Sequence, residues 1–369
     1  MIFEIFELER NQSLYENEVD YNLSESGVHP LSLSEILTKE EQQEILNMEQ
    51  YYGYTNGSPM LRERIAEMYG QSFSIRNVLI TSGSAEANFL SVMTQLEPGD
   101  ELIYMVPNYP QIYGLARSFG ITVKELPIRQ ELGWQWDLDE LKAMITKNTK
   151  MIAVCNPNNP TGTIMSDEVM DGVIKLSKDI NCWLLSDEVY RGAELNGVEC
   201  RTLAGATDKT VVNAGLSKAY SLPGLRLGWS IGSEEYINRA WSFHDYTVIN
   251  VAYLSDWIAS RIMTYDRRMK ILNRTKSHLI HNLDLLCDWE KNVPELTLTR
   301  PQAAAIAFAR LNIDMHSEDF VYKLRDNHSV LLTAGKWHRL EGFVRIGYGT
   351  PEEYVKNALN RITKFLEEL

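Results

Sequence analysis

One lysine, Lys218, stands in the stretch Gly215-Leu216-Ser217-Lys218-Ala219-Tyr220-Ser221-Leu222-Pro223-Gly224-Leu225-Arg226-Leu227-Gly228-Trp229 among small and apolar residues. An ordinary surface lysine sits among other charges; this one has a hydroxyl beside it and Arg226 eight positions on. Taking an ammonium out of water lowers its proton affinity, and the neutral amine can attack a carbonyl to form a Schiff base. Ser217 and Arg226 offer a hydroxyl and a guanidinium fork, which matches phosphate oxygens. A lysine imine beside a phosphate anchor points to pyridoxal 5'-phosphate. The alternative is a lysine that snorkels from a buried turn.

The other parts of such a site recur along the chain. Val78-Leu79-Ile80-Thr81-Ser82-Gly83-Ser84-Ala85 reads as a strand, a tight turn and a helix start, which aims free N–H groups at an anion. Tyr109, after a strand end at Pro107-Asn108, could stack on a pyridine face. Asn156-Pro157-Asn158-Asn159-Pro160-Thr161-Gly162 fixes an irregular turn after a buried strand, and its amide could donate to a phenolate oxygen. Asp187 in Ser186-Asp187-Glu188-Val189-Tyr190 closes another strand, where a carboxylate is costly without a positive partner. A pyridinium nitrogen would be that partner, although a helix cap would also use an aspartate. Tyr190 could bond the ring's O3' oxygen. Arg345 interrupts the apolar Gly342-Phe343-Val344-Arg345-Ile346-Gly347 and suits either a substrate carboxylate or a structural salt bridge.

The elements that must position these groups alternate. Apolar strands at 77–81, 101–106, 121–125, 150–155, 182–186, 210–214 and 227–231 are separated mostly by helical stretches, which predicts an α/β fold with a mostly parallel, helix-covered sheet. Residues 1–50 read as short helical pieces, and a helix begins near Leu61. From about 251 to 289 one long helix is expected, followed by a smaller α+β domain with strands near 303–309, 330–333 and 343–346. Thr350, Pro351 and Glu353 read as a capping box opening the last helix. The expected division is a large domain at 45–255 and a small one built from 1–44 and 256–369.

A length of 369 residues exceeds one small core. The net charge of −14 disfavours nucleic-acid and anionic-membrane partners. The four cysteines lack C-x-x-C spacing, so reduced thiols are expected rather than disulfides or zinc. The seven histidines show no metal-ligand spacing. The acidic opening Met1-Ile2-Phe3-Glu4-Ile5-Phe6-Glu7 is unlike a basic signal peptide, and no apolar run reaches membrane-spanning length. A cytoplasmic protein is expected.

Together, Asn-Pro-x-Asn-Pro-Thr-Gly, Ser-Asp-Glu-Val-Tyr and Ser-Lys-x-Tyr-x-x-x-Gly-x-Arg-x-Gly resemble the fold-type I pyridoxal-phosphate enzymes of the class I/II aminotransferase family, over nearly the whole chain. The resemblance implies an aspartate aminotransferase-like fold in which Lys218 carries the cofactor and shuttles the proton. It implies that Ser217, Arg226, Ser84 and Ala85 hold the phosphate, that Tyr109 stacks on the ring, and that Asn159 and Tyr190 bond O3'. Asp187 would pair with the ring nitrogen, Arg345 with the α-carboxylate, and Gly27 would line the entrance. Homodimers are typical, with a tyrosine lent to the partner's site; spacing to Leu61-Arg62 favours Tyr52 over Tyr54. Gly215 stands where many relatives carry a second hydroxyl, and Gln302-Ala303-Ala304-Ala305 where they often carry Gly-x-x-Phe-Phe. The alanines suggest room for a larger substrate.

The implied reaction is ping-pong transfer of an amino group between an L-amino acid and a 2-oxo acid. Elimination or cyclisation, by a lyase or a capreomycidine-synthase-like cyclase, would use the same lysine, ring and arginine, and Ser26-Gly27-Val28-His29 resembles such a cyclase. A non-catalytic regulator would need a DNA-binding module and a basic patch, neither of which is seen. Tyr15, Trp134 and the 244–250 region are candidates for the side-chain pocket, and His338 for a place near the substrate.

Overall fold

In the computed structural model, which describes residues 3–369, the chain opens with helix α1 (Glu7–Tyr15), a short strand β1 (Tyr21–Asn22), and helices α2 (Leu33–Ile36) and α3 (Lys39–Leu46). Met1 and Ile2 of the acidic opening lie outside the described residues. Helix α4 (Pro59–Met68) starts two residues earlier than expected, because Pro59 occupies its first position and Ser58 caps it by accepting from Leu61 N–H.

Strands and helices then alternate: β2 (Val78–Thr81), α5 (Gly83–Gln95), β3 (Glu101–Val106), α6 (Gln111–Ser118), β4 (Thr122–Pro127), α7 (Leu138–Met144), β5 (Thr149–Cys155), α8 (Asp167–Asp179), β6 (Trp183–Asp187), β7 (Thr210–Gly215) and β8 (Gly228–Ile231). They form one seven-stranded sheet in the order β2-β8-β7-β6-β5-β3-β4. Its central strands are buried on both faces, which is why they read as continuous apolar runs rather than alternating ones.

Strands β3 to β7 run parallel, while β8 is antiparallel to both β7 and β2. Two reversals return β2 to the common direction. The carboxyl ends of β2, β3, β5, β6 and β7 therefore open on one edge, and β8 begins there. Residues just after those strands, and just before β8, are gathered without regard to their separation in sequence.

Past helix α9 (Glu234–His244), the expected single helix is two: α10 (Tyr253–Ile262) and α11 (Tyr265–Glu290). Thr264 is extended at the start of α11, which breaks the run that apolar periodicity alone joins. A second sheet, β12-β13-β10-β9, comprises β9 (Leu296–Thr299), β10 (Ile306–Leu311), β12 (Thr333–Ala334) and β13 (Phe343–Gly347), all antiparallel. Strand β9 was not expected, and β10 starts three residues late because Ala304 has a left-handed φ of 68°. Helix α12 (Ser317–His328) leads into β11 (Val330–Leu331), which pairs in parallel with β1 and so ties the amino-terminal segment to this half.

The last helix, α13 (Glu352–Glu367), corrects the expected capping box. Its N-cap is Pro351, and Thr350 Oγ1 is buried without a partner. The Thr350 carbonyl accepts instead from Asn282 Nδ2 at 2.7 Å and faces His278 Nε2 at 3.0 Å, so the turn is held by α11. No helix among the described residues is long and apolar enough to cross a membrane.

Candidate active site

A cleft of about 1070 Å³ lies at the strand-end edge and takes in Ser84, Ala85, Tyr109, Asn159, Asp187, Tyr190, Ser217, Lys218, Arg226 and Arg345. Ten expected site residues, scattered over some 260 positions, thus share one cavity: the seven-stranded sheet delivers nine of them, and β13 of the second sheet supplies Arg345.

Lys218 follows β7 and Arg226 precedes β8, so the antiparallel pairing of those strands folds the intervening loop back on itself. Arg226 Nη1 donates to Ser217 Oγ at 3.3 Å. The guanidinium packs over the start of α5: a Cβ on Gly83, whose φ is +78°, would lie 2.7 Å from Arg226 Nη2. Gly228 is equally constrained, since its Cβ would stand 2.5 Å from Ser84 N. The N–H groups of Ser84 and Ala85 sit in the first turn of α5, where a helix leaves its donors without internal partners. Hydroxyl, guanidinium and helix start form a cradle suited to a dianion. At Gly215 a Cβ would lie 3.1 Å from Leu227 O and 3.5 Å from Ser84 N, so the glycine lets strand and helix approach closely.

Asp187 ends β6 and is 8% exposed. Its Oδ2 accepts from Asn88 Nδ2 at 2.8 Å and its Oδ1 from Val189 N–H at 3.1 Å. Burial pushes the carboxyl above its ordinary value; the Asn88 amide, the Val189 N–H and the more distant Lys218 charge only partly offset this. A buried acid held by neutral donors is short of a cation, and a pyridinium nitrogen fits that need. Asn88 was not anticipated, yet it is a polar residue one turn beyond Ser84 on the same face of the helix.

Asn159 Nδ2 donates to Tyr190 Oη at 3.1 Å, and Arg345 Nη1 donates to Asn159 Oδ1 at 2.8 Å. Arg345 is 1% exposed, its Nη2 reaches Ser24 O, and its Nε has no partner. Burial drives the pKa of both Arg345 and Tyr190 towards the neutral form. Tyr109 Oη donates to Glu9 Oε1 at 2.6 Å, which leaves its ring along the cavity wall.

The largest departure from expectation concerns Lys218 itself. Its Nζ lies 2.8 Å from Glu25 Oε1, a contact that no spacing argument predicted. Burial alone would depress the ammonium, but Glu25, then Tyr190, hold it above its ordinary value. Lys218 in turn draws Glu25 down from 4.5 to about 2. Both shifts favour the charged pair over a desolvated neutral base.

Other expected residues lie elsewhere. Gly27 is covered and packs 3.7 Å, from its Cβ position, against the Lys218 stem, while Glu25 and Ser26 form the wall. Tyr52 is 75% exposed and away from the cleft, as is Tyr54. Trp134 is core, edge-on to Phe308 and Phe343. Tyr15 lies under Arg325 rather than on the cleft, and Tyr246, Val248 and Ile249 face outward. His338 is fully buried, with Nδ1 3.2 Å from Asn108 O, so it is neither a surface nor a substrate group. Ala303, Ala304 and Ala305 are buried away from the cavity and add no room to it. His29 is exposed and Val28 is core; neither lines the cleft.

The sequence profile of the family described as aminotransferase class I and II matches residues 20–362. The aspartate aminotransferase of Pyrococcus horikoshii is 29% identical over 325 residues, covering 86% of this chain and 83% of the relative. Capreomycidine synthase of Streptomyces vinaceus is 25% identical over 290 residues, covering 78% and 74%. A crystal structure of a pyridoxal-phosphate-dependent aminotransferase from Streptococcus suis superposes with a TM-score of 0.93 at 29% identity, covering 100% of this chain and 99% of that one. The chain belongs to the class I and II aminotransferases, pyridoxal-phosphate-dependent enzymes of fold type I.

Proposed function

We propose that this aminotransferase binds an L-amino acid by its carboxylate at Arg345, moves the Cα proton with Lys218, and passes the amino group to a 2-oxo acid in a second half-reaction. The observation that carries the reading is the convergence of Lys218, Asp187 and Arg345 on one cleft from three separate elements.

Bound pyridoxal phosphate supplies an electron-accepting ring that stabilises negative charge at the substrate's α-carbon. Ser217, Arg226, Ser84 and Ala85 would hold its phosphate, Tyr109 its face, and Asn159 and Tyr190 its phenolic oxygen. Asp187 would keep the ring nitrogen protonated. Arg345 orients the substrate by a bidentate grip, with Asn159 completing the contact. Lys218, as a neutral amine, would take the proton from Cα and return one, with Glu25 balancing the ammonium that results. Elimination and cyclisation use the same groups, and no feature of this cleft favours them.

The large domain would be 45–255 and the small one 1–44 with 256–369; the confinement of the seven-stranded sheet to the first range and the β1–β11 pairing support this. A homodimer is proposed with Tyr52 or Tyr54 lent across it, which their exposure supports. Four unpaired thiols support a reducing cytoplasm.

The test is to titrate the cofactor-loaded enzyme with single amino acids. Loss of the visible lysine-linked absorbance with formation of the aminated cofactor and a 2-oxo acid is expected. Release of ammonia in its place would overturn the transaminase reading.

A further inference from the structure

The cleft's charges are unevenly matched. Arg226 is committed to the α5 cradle and Arg345 to the carboxylate end. On the rim, Arg117 is paired with Glu4 at 2.7 Å, Arg339 with Glu125 at 2.6 Å, and Lys336 with Glu318. A second substrate carboxylate would meet no unpaired cation among the described residues of the cleft. The acids differ. Glu9, Glu16 and Glu25 all line the cavity, and among the described residues only Glu25 is paired with a cation, Lys218 at 2.8 Å, which the cofactor would engage. Among the described residues, Glu9 accepts only from the Tyr109 hydroxyl, at 2.6 Å. Glu16 ends α1 and is pushed up by burial and then by the charges of Glu25 and Glu9, so the three carboxylates feel one another. Glu25 accepts from Ser26 N–H at 2.8 Å and Gly27 N–H at 2.7 Å, bonds that keep it in place when Lys218 is engaged elsewhere.

A second feature points to what they face. The buried Arg345 lines the same cleft and keeps an unpartnered Nε, which suits a carboxylate at the inner end. The shared ligand has an anion at one end and a cation at the other.

We propose that Glu9, Glu16 and Glu25 select amino acids with a positively charged side chain, of the guanidinium or alkylammonium class. The proposal rests on the aminotransferase reading of the same cleft. Clustered carboxylates lower the energy of a cation entering between them and repel a second carboxylate. This acts on choice of substrate rather than on the reacting bonds.

The experiment is calorimetric titration of the cofactor-loaded enzyme with L-arginine, its uncharged isostere L-citrulline, and L-aspartate. Arginine is expected to bind about tenfold or more tightly than citrulline. That ratio should fall several-fold in Glu16→Gln and Glu25→Gln, and in high salt. Equal binding of arginine and citrulline, tighter binding of aspartate, or no measurable binding of arginine would overturn the proposal. Amino transfer from citrulline or aspartate alone would remove the charge selection and leave the aminotransferase reading standing. Tight, charge-dependent arginine binding without amino transfer would do the reverse.

Discussion

Arg345 Nη1 donates to Asn159 Oδ1 at 2.8 Å, and that bond joins β13 of the four-stranded sheet to the turn after β5 of the seven-stranded one. The group proposed to grip the substrate and the group proposed to grip the cofactor are thus one hydrogen-bonded unit. Replacing Arg345 by Ala should weaken amino acid binding by about 2–5 kcal/mol, the scale for losing one partner of a buried charge pair. Lys is no substitute, lacking the planar fork. Steady-state KM should rise steeply while cofactor retention on gel filtration stays close to wild type. Loss of the cofactor with no change in KM would contradict the role.

Lys218→Ala should lose the visible lysine-linked absorbance and about 10²–10⁴ of the rate, the range for removing a positioned proton-transfer group. Asp187→Asn keeps shape and removes charge. It should bind cofactor yet turn over slowly, and a near-normal rate in a single-turnover assay would argue against a ring-nitrogen partner at position 187.

The Glu25–Lys218 pair makes a pH prediction whose sign follows from both partners. Glu25 is depressed from 4.5 to about 2, so its stabilisation is complete above 4.5 and lost as pH falls towards 2. Lys218 is raised from 10.5, so its share is complete below 10.5 and lost as pH rises through the higher folded value. In cofactor-stripped protein, Glu25→Gln should lower Tm by a constant amount between those limits. The gap to wild type should close at both extremes; a gap that widens in acid would refute the pairing.

Glu86 lies in the first turn of α5, with Oε1 3.0 Å from His244 Nδ1 and in contact with Thr247 Oγ1, while Oε2 accepts from Ser82 N–H at 2.6 Å. Burial would raise this carboxyl, but these partners hold it below its ordinary value. Glu86→Ala leaves buried hydrogen-bonding groups without a partner and should cost about 1–3 kcal/mol in denaturant unfolding. Because the same turn offers Ser84 and Ala85, phosphate-containing cofactor should also dissociate faster. Unchanged stability would show the cluster to be idle.

Strand ends and small-residue turns were legible because buried strands and tight turns leave local marks: the strands around Lys218, Asp187 and Asn159 fall within a residue or two of their expected bounds. Glu25 was not legible. Its role comes from β1 pairing with β11 some 300 positions away, and long-range pairing leaves no local pattern. The Thr350 capping box failed for a similar reason, since Asn282 claims the turn from outside it. Trp134 and His338 looked like pocket groups because an aromatic or an imidazole in a loop carries no mark of burial.

The pairing of β1 with β11 has a wider consequence. Leu23 N–H donates to Leu331 O at 2.9 Å and Gly347 N–H to Leu23 O at 2.7 Å, so Glu25 is anchored to β11 and to β13, the strand that carries Arg345. Lys218 instead follows β7. Any shift of β13 relative to β7 would change the spacing of that pair and with it the amine's basicity.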